Sequence, residues 1–538
     1  MAVKFWRRPL SGRSAVHACN GMVASSQPLA SQTGIHILQS GGNACDAIVA
    51  MAAVLNVVEP FSTGIGGDAF ALLYIPGEKS PKAINGSGYS PESLSYNYLV
   101  EELALVQMPI TGVIPITVPG AISAWEMIHK SYGILPWEEI IQPAITYAQK
   151  GFPVSPVIAQ VWNELVPKLL THNGATKNYL INGERAPVAG EIFKQKALAS
   201  TLKIIAKQGA EAFYRGELAN RTVKFLQNQG GFIKISDLEN YKAEWTTPIS
   251  QEIYNNIIWE HGPNGQGLTT LLILNIVEEL DIARYPHNSV AYLHHFIESK
   301  KIAFADAFAQ IADPRFMTIS PSKLLSEEYT QIRASQINPR RAMNPITPPL
   351  EVGEDTVYLT AADKDGMTIS FINSLYYGFG SGIVDPQTGI AFQNRGAGFS
   401  LVKGHPNQYL PKKRPFHTII PAMVTSPEGE LEYSFGVMGG HHQPQGQAQV
   451  FLNLILYEMD PQEAISCPRF HHDQISNAVA LEDPIGVNVR AKLRKLGHTI
   501  VDSVGTNFGG GQIIRYDSSK KCYVGGSDPR KDGQANGY

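Results

Sequence analysis

Apolar and polar positions alternate in two rhythms along the chain, and the change between them falls near residue 338. Before it the helical rhythm dominates. From Ala44 to Val58 the residues Ala44, Ile48, Ala52, Leu55 and Val58 recur at helical spacing, and small residues occupy the other faces. That pattern predicts a helix buried on most sides. Asn43 is placed to cap it and Pro60 follows its end. A preceding helix in "ASQTGIHILQS" stops at Gly41-Gly42. Further helices are predicted in "VPGAISAWEMIHKSYG", in "WEEIIQPAITYAQKG" with a break or restart at Pro143, in "ELANRTVKFLQNQGG", in "GLTTLLILNIVEEL" and in "VAYLHHFIESKKIAFADAFAQIADP". Strands are fewer here, "AFALLY" and "IYNNIIWEHG" among them.

From Asn338 to Asp355 runs "NPRRAMNPITPPLEVGED", whose prolines and mixed charges predict a loop. After it the period becomes two. "TVYLTAAD" and "MTISFINSLY" flank a "KDG" turn, and "TIIPAMVTSPEGELEYSFGVMGG" folds back at Pro427-Glu428-Gly429. A helix, "QGQAQVFLNLILYEM", follows. Helices combined with hairpins, without regular strand–helix alternation, favour antiparallel sheets covered by helices. No internal repeat or low-complexity tract interrupts the pattern.

Composition narrows the partners. A hydrophobic fraction of 43% with 17% charge fits a globular chain with a large core, and 538 residues suffice for one large domain or three to four ordinary ones. The net charge of −3 gives no footing for nucleic acid or an anionic membrane. The four cysteines form no CxxC pair and read as reduced thiols. The basic start of the chain lacks an apolar stretch after it, and "AIVAMAAVLNVV" is too short to span a bilayer, so the cytoplasm is the default expectation.

Most candidate chemistry dissolves on inspection. "TGIGGDAF" and "GTNFGGGQ" lack the lysine and hydroxyl of a phosphate loop and read as turn glycines. His441-His442 and His471-His472 are adjacent pairs, and in a strand adjacent side chains face opposite ways, so neither pair chelates; no metal is expected. There is no GxSxG elbow. Thr356 stays, where the loop meets a strand. Alone it reads as a β-former. The chemical alternative is that its hydroxyl attacks the Asp355 carbonyl, the peptide becomes an ester, and water frees Thr356 as a new N-terminus. The α-amine so formed, with a pKa of roughly 8, is a base for the same residue's hydroxyl. "MGGHH" then offers backbone N–H groups for an oxyanion.

With these residues assembled, the chain resembles the γ-glutamyltranspeptidase family of N-terminal nucleophile hydrolases. The motifs are "GMVASSQPLAS", "GGNACDAIVA", "GIGGDAF", "VPGAISAWEMIHKSYG", "TVYLTAADKDGMTISFINSLYYGFGSGI", "MGGHHQPQ" and "GGSDPRKDGQANGY", in order over nearly the whole length. The resemblance implies an α+β fold, a four-layer αββα sandwich. It implies one precursor cut between Asp355 and Thr356 into residues 1–355 and 356–538, a large and a small subunit that stay together. It implies Thr356 as nucleophile, Ser374 as the hydroxyl beside it, and Gly439 and Gly440 as the oxyanion hole. The substrate is a small amide, the acceptor water or an amine, and no cofactor is needed.

Departures from the family pattern bear on specificity. In "FQNRGAGFS", Arg395 and Gly398 stand where glutathione-directed members grip the glutamyl ammonium with acid and amide groups, and Asn394 lies beside them. Tyr376 replaces an asparagine, His417 and Thr418 replace paired serines, and Tyr96 is the best match to a carboxylate-binding arginine. An ammonium is repelled near Arg395. The expected acyl group therefore carries a carboxylate without a neighbouring ammonium, with Arg395 as its clamp. The tract "SLVKGHPNQYLPKKR" is shorter than the lid of many relatives and suggests a more open pocket. Two other readings stay open: a conventional glutathione hydrolase, and an unprocessed relative kept as a binding protein.

Overall fold

A computed structural model describes residues 13–344, 355–503 and 507–538. The opening basic residues, most of the 338–355 loop and part of "GTNFGGGQ" lie outside the described residues. Two seven-stranded antiparallel sheets form the centre. The first runs Gln534–Gly537, Met22–Ser25, Asp355–Ala362, Thr368–Tyr376, Asp68–Tyr74, Lys82–Gly86, Glu244–Thr246. The second runs Val16–Ala18, Cys522–Ser527, Gly510–Asp517, Leu431–Met438, Ala422–Thr425, Asn256–Glu260, Ile249–Ile253. Both expected hairpins are present, and strands from before and after residue 355 are interleaved in each sheet. The chain before residue 355 and the chain after it therefore share one core.

Side-chain alternation sorts each strand into layers. In Asp355–Ala362, the residues Val357, Leu359 and Ala361 pack with helices Ala44–Val58, Trp137–Lys150 and Lys196–Gln208. Tyr358 points the other way, into a cluster with Phe70, Ile372, Ile419 and Met438 between the sheets. On the far side, Val424, Phe435 and Val437 meet helices Gly267–Glu279, Val290–Gln310 and His442–Ile455. The order is helix, sheet, sheet, helix, as the αββα expectation requires. The sheets approach closely at Gly436, where a Cβ would lie 2.4 Å from the Tyr358 ring. Because both faces of these strands are covered, each buried Val, Leu, Ile or Phe contributes about 1.5–3 kcal/mol.

Helix Ala44–Val58 is buried at every position, as its pattern predicted. Asn43 closes a capping box: its Oδ1 accepts from the Cys45 and Asp46 amides at 3.0 Å, and Asp46 reaches back to the Asn43 amide at 3.1 Å. Two expectations are corrected. Pro143 does not break its helix; Trp137–Lys150 is continuous, and the carbonyl that loses a donor belongs to exposed Glu139, which water can reach. His441 and His442 are not in a strand. They open helix His442–Ile455, because Gly439 and Gly440 turn the chain with φ of 120° and 54°. Among the described residues no helix is long and apolar enough to cross a membrane.

Asn43→Ala removes the cap of the central helix. It is expected to cost about 1 kcal/mol and lower the thermal midpoint by about 2 °C. A differential scanning calorimetry trace superposable on the wild type would show that the cap contributes nothing.

Candidate active site

Three neighbouring strands bring the site together on one face. By the alternation that turns Tyr358 and Thr360 into the inter-sheet space, Thr356 points there too. Ser374 follows Ser370 and Ile372 on the next strand, and Asp68 precedes Phe70 on the third, in direct register with Ser374. The pairing of the first two strands slips beside Thr356: Val357 faces Asn373 but Asp355 faces Tyr376, so the partner strand carries one residue more. This is a β-bulge, and it leaves Tyr376 at φ 82°, a strained value for a bulky side chain. It also sets Thr356 Oγ1 3.1 Å from Ser374 Oγ. Thr356 is 2% exposed.

Ser374 Oγ is a shared acceptor. It receives the Thr356 hydroxyl, the Tyr376 amide at 2.8 Å and Arg395 Nη2 at 3.3 Å. The Thr356 hydroxyl and the Tyr376 amide match its two lone pairs, the Arg395 cation at 3.3 Å adds its field, and together they raise the acidity of the hydroxyl that oxygen carries. The Arg395 guanidinium is fully buried. Its Nη1 donates to Thr418 Oγ1 at 2.8 Å, and its Cζ lies 4.1 Å from the centre of the Tyr376 ring. One hydrogen on each Nη is left for another acceptor. Burial pulls its pKa down to about 10, so it remains a cation at neutral pH.

The sequence reading expected this region to hold a positive charge without an acid. The structure corrects that: Asp68 Oδ2 lies 3.7 Å from Arg395 Nε. Burial raises the Asp68 pKa to about 7, against the pull of Arg395, the Gly88 and Gly120 amides and Arg414. His417 faces the same carboxylate. Its Nδ1 accepts from the Ile419 amide at 3.3 Å, so its Nε2 carries the hydrogen that points at Asp68 Oδ2, 3.1 Å away. Burial holds the His417 pKa well below its usual value, and the ring is a neutral donor. Asp68 had a visible signal, an acid opening the apolar strand of "GIGGDAFALLY", which the glycines around it overshadowed.

The remaining candidates divide. Asn394 is structural in its contacts: Nδ2 donates to the Ile110 carbonyl at 2.7 Å and Oδ1 accepts from the Tyr377 amide at 3.3 Å. Tyr96 donates to the Leu401 carbonyl at 2.9 Å beside an apolar cluster of Leu94, Phe399 and Tyr409. The "SLVKGHPNQYLPKKR" tract is tied down by Asn407, which bridges the Gly398 carbonyl and the Phe416 amide. Gly439 and Gly440 end the strand that carries Met438 and lead into a helix N-terminus, where amide donors and the helix dipole favour negative charge. Gln266, which the sequence reading missed, fixes this turn: its Nε2 donates to the carbonyls of Gly440 at 2.9 Å and Thr418 at 2.6 Å. A cavity of about 830 Å³ is lined by Ile110, Leu165, Lys168, His172, Tyr377 and Ile383, and neither Thr356 nor Arg395 is among its lining residues.

Among the described residues, one cluster outside this site has metal-ligating residue types, His294, Glu298 and His498. Its geometry suits a relay better than a chelate. His498 turns Nε2 to His294, 2.8 Å away, and Nδ1 to Glu298, 4.0 Å away, so its two nitrogens serve different neighbours. The Lys301 ammonium, 2.8 Å from Glu298 Oε1, already supplies a cation.

An αββα sandwich with a hydroxyl residue at the start of a central strand defines the N-terminal nucleophile hydrolase class. The chain belongs to the gamma-glutamyltranspeptidase family, whose model matches residues 30–538. It is 38% identical to the glutathione hydrolase-like YwrD proenzyme of Bacillus subtilis, over 96% of this chain and 98% of that one. It is 35% identical to the oxamate amidohydrolase proenzyme of Klebsiella pneumoniae, over 96% and 98%. The crystal structure of cephalosporin acylase from Bacillus halodurans superposes with a TM-score of 0.92 at 41% identity, covering 100% of this chain and 99% of that one. The chain is thus an enzyme of the amide-hydrolase type.

Gln266→Leu strips two buried carbonyls of their donor. It is expected to cost about 2–4 kcal/mol, read as a drop of several degrees in the thermal midpoint. An unchanged midpoint would remove Gln266 from the framework of the turn.

Proposed function

We propose that the chain cleaves itself between Asp355 and Thr356 and that the freed Thr356 then hydrolyses small amides whose acyl part carries a carboxylate without a neighbouring ammonium. The observation that carries this reading is the line of contacts from Thr356 Oγ1 through Ser374 Oγ to Arg395. In the precursor, Ser374 takes the Thr356 hydroxyl hydrogen bond and leaves a lone pair of Oγ1 for the Asp355 carbonyl carbon. The C–N bond breaks, the nitrogen gains a proton as the new α-amine, and water hydrolyses the ester. Residues 1–355 and 356–538 then remain joined by their shared sheets.

In turnover the α-amine takes the Oγ1 proton as Oγ1 attacks the substrate carbonyl. The oxyanion faces the Gly439–Gly440 turn. The amine leaves with a proton, and water releases the acid from the Thr356 ester. Charge at the acyl end supports the specificity. The free hydrogens of Arg395 match a carboxylate's oxygens, and a glutamyl ammonium would meet a cation instead. Tyr96, the best match to the family's carboxylate-binding arginine, spends its phenol on a backbone carbonyl beside apolar side chains.

Three measurements test this. Intact mass spectrometry of the wild type is expected to give two fragments meeting at Asp355 and Thr356, and a single full-length mass for Thr356→Ala. Full-length mass in both would end the self-cleavage reading. With cleavage established, kcat/KM is expected to be about tenfold or more higher for a glutaryl than for a γ-glutamyl anilide. The reverse order would restore the conventional glutathione hydrolase reading. Ser374→Ala is expected to slow self-cleavage about a hundredfold, followed on a denaturing gel.

A further inference from the structure

Arg395 is a buried cation with a buried acid beside it, and this pairing has a consequence for whatever binds there. Asp68 Oδ2 stands 3.7 Å from Nε, at the edge of the guanidinium away from Thr418 and Ser374. That separation is too long for a hydrogen bond, and Nε has no hydrogen-bond partner. The pair is therefore electrostatic and loosely held. Asp68 is held instead by neutral donors, His417 Nε2 at 3.1 Å and the Gly88 amide at 3.3 Å. We infer that Asp68 is the resident counter-ion of Arg395 and that it takes up a proton when a substrate carboxylate replaces it in that role. This rests on the reading of Arg395 as the acyl-carboxylate clamp and deepens it.

The chemistry balances without any co-reactant. Before binding, the Asp68 carboxylate offsets the Arg395 charge. An incoming carboxylate within reach of the two Nη atoms makes a second anion in the same enclosed space. Two anions against one cation are costly to bury, and the oxygen of Asp68 accepts a proton from solvent to remove one of them. Asp68 then is a neutral acid, still bonded to the His417 ring and the Gly88 amide. Its pKa of about 7 places this exchange at ordinary working pH.

Other groups packed around Asp68 do not take that proton. His417 is a neutral donor to Asp68, and His261, stacked on Phe70 at 4.0 Å, has its pKa pulled down to about 4 by burial. Arg414, which also faces the carboxylate, is paired with Glu244 at 3.1 Å. Tyr214 and Tyr241, the remaining neighbours, are pushed above their usual pKa by burial and stay neutral. Asp68 acts through Arg395 and is a positioning residue. It tunes which acyl charge the site accepts: ionised, it makes the pair neutral and tolerant of uncharged acyl groups; protonated, it leaves Arg395 to an anion.

The sign follows from linkage. Anion binding that takes up a proton weakens as pH rises, with a slope set by the number of protons taken up. Below the Asp68 pKa the acid is already protonated and affinity is flat. Above it, the dissociation constant rises by up to about tenfold per pH unit.

The test is isothermal titration calorimetry of the mature wild-type enzyme with glutarate, in two buffers of different ionisation enthalpy, across neutral pH. Expected are binding with net proton uptake that grows from slightly acidic to slightly alkaline pH, and loss of that uptake in Asp68→Asn. Binding without uptake in the wild type overturns the role of Asp68 while leaving Arg395 as the clamp. Uptake retained in Asp68→Asn assigns the proton elsewhere and overturns it too. No binding of glutarate overturns both the clamp and the counter-ion, whatever the mass spectra say of Thr356. If Asp68→Asn does not mature, the midpoint of the wild-type profile decides: a rise in dissociation constant centred at about pH 7 supports the exchange, and a flat profile, or one centred at roughly pH 8 where the Thr356 α-amine titrates, rejects it.

Discussion

The hydrogen bond between Thr356 Oγ1 and Ser374 Oγ is the contact on which the rest of the site depends, and a fault in strand pairing creates it. In an unbroken antiparallel register one residue of Thr368–Tyr376 would oppose Thr356. The bulge opposes two. It also ends the regular ladder where the chain must leave for the glycine-rich turn after Tyr376. The strain at Tyr376 is held in place by its own surroundings: its amide bonds Ser374 and its ring covers Arg395. A local cost in backbone energy thus fixes a serine, a guanidinium and a threonine relative to one another.

Everything around that contact is enclosed between two sheets, and enclosure decides the electrostatics. A cation at full burial is tolerable only with acceptors on several edges and an acid within a few ångströms. Arg395 has two hydroxyl oxygens, an aromatic face and Asp68. Asp68 in turn has an imidazole and backbone amides. No member of this set is charged alone, and the order of the strands makes it so. Asp68 and Ser374 are register partners, so the acid and the shared acceptor sit side by side without any loop to position them.

Much of this was legible in the sequence, and the gaps have physical causes. Helix Ala44–Val58, its Asn43 cap and both hairpins follow from periodicity and turn chemistry, which are local. Thr356, Ser374, Arg395 and Thr418 were singled out, and the structure brings them into one line of contacts. Pro143 was misread because a helix interior penalises proline by an amount that packing of the other face can offset. His441 and His442 were misread because a strand and a helix meet at two glycines, and glycine carries no period. Asp68 and Gln266 were missed for a different reason. Each acts on residues more than a hundred positions away, and only the sheet order brings them there.

The pairing of Arg395 with Asp68 shapes the electrostatics of the whole site. A site for a zwitterionic acyl group needs an acid and a base held apart, each facing one charge of the ligand. Here the acid and the base face each other, and His417 fills the space beside them with a neutral ring. Such a pair presents little net field until something displaces one member. Selectivity then rests less on the strength of any contact than on which charge the enclosed volume lacks. A ligand anion completes it with Arg395, whereas a ligand cation must compete for Asp68 against a guanidinium already in place. That asymmetry follows from the burial of the pair, and it is the physical ground for proposing acyl groups whose only charge is negative.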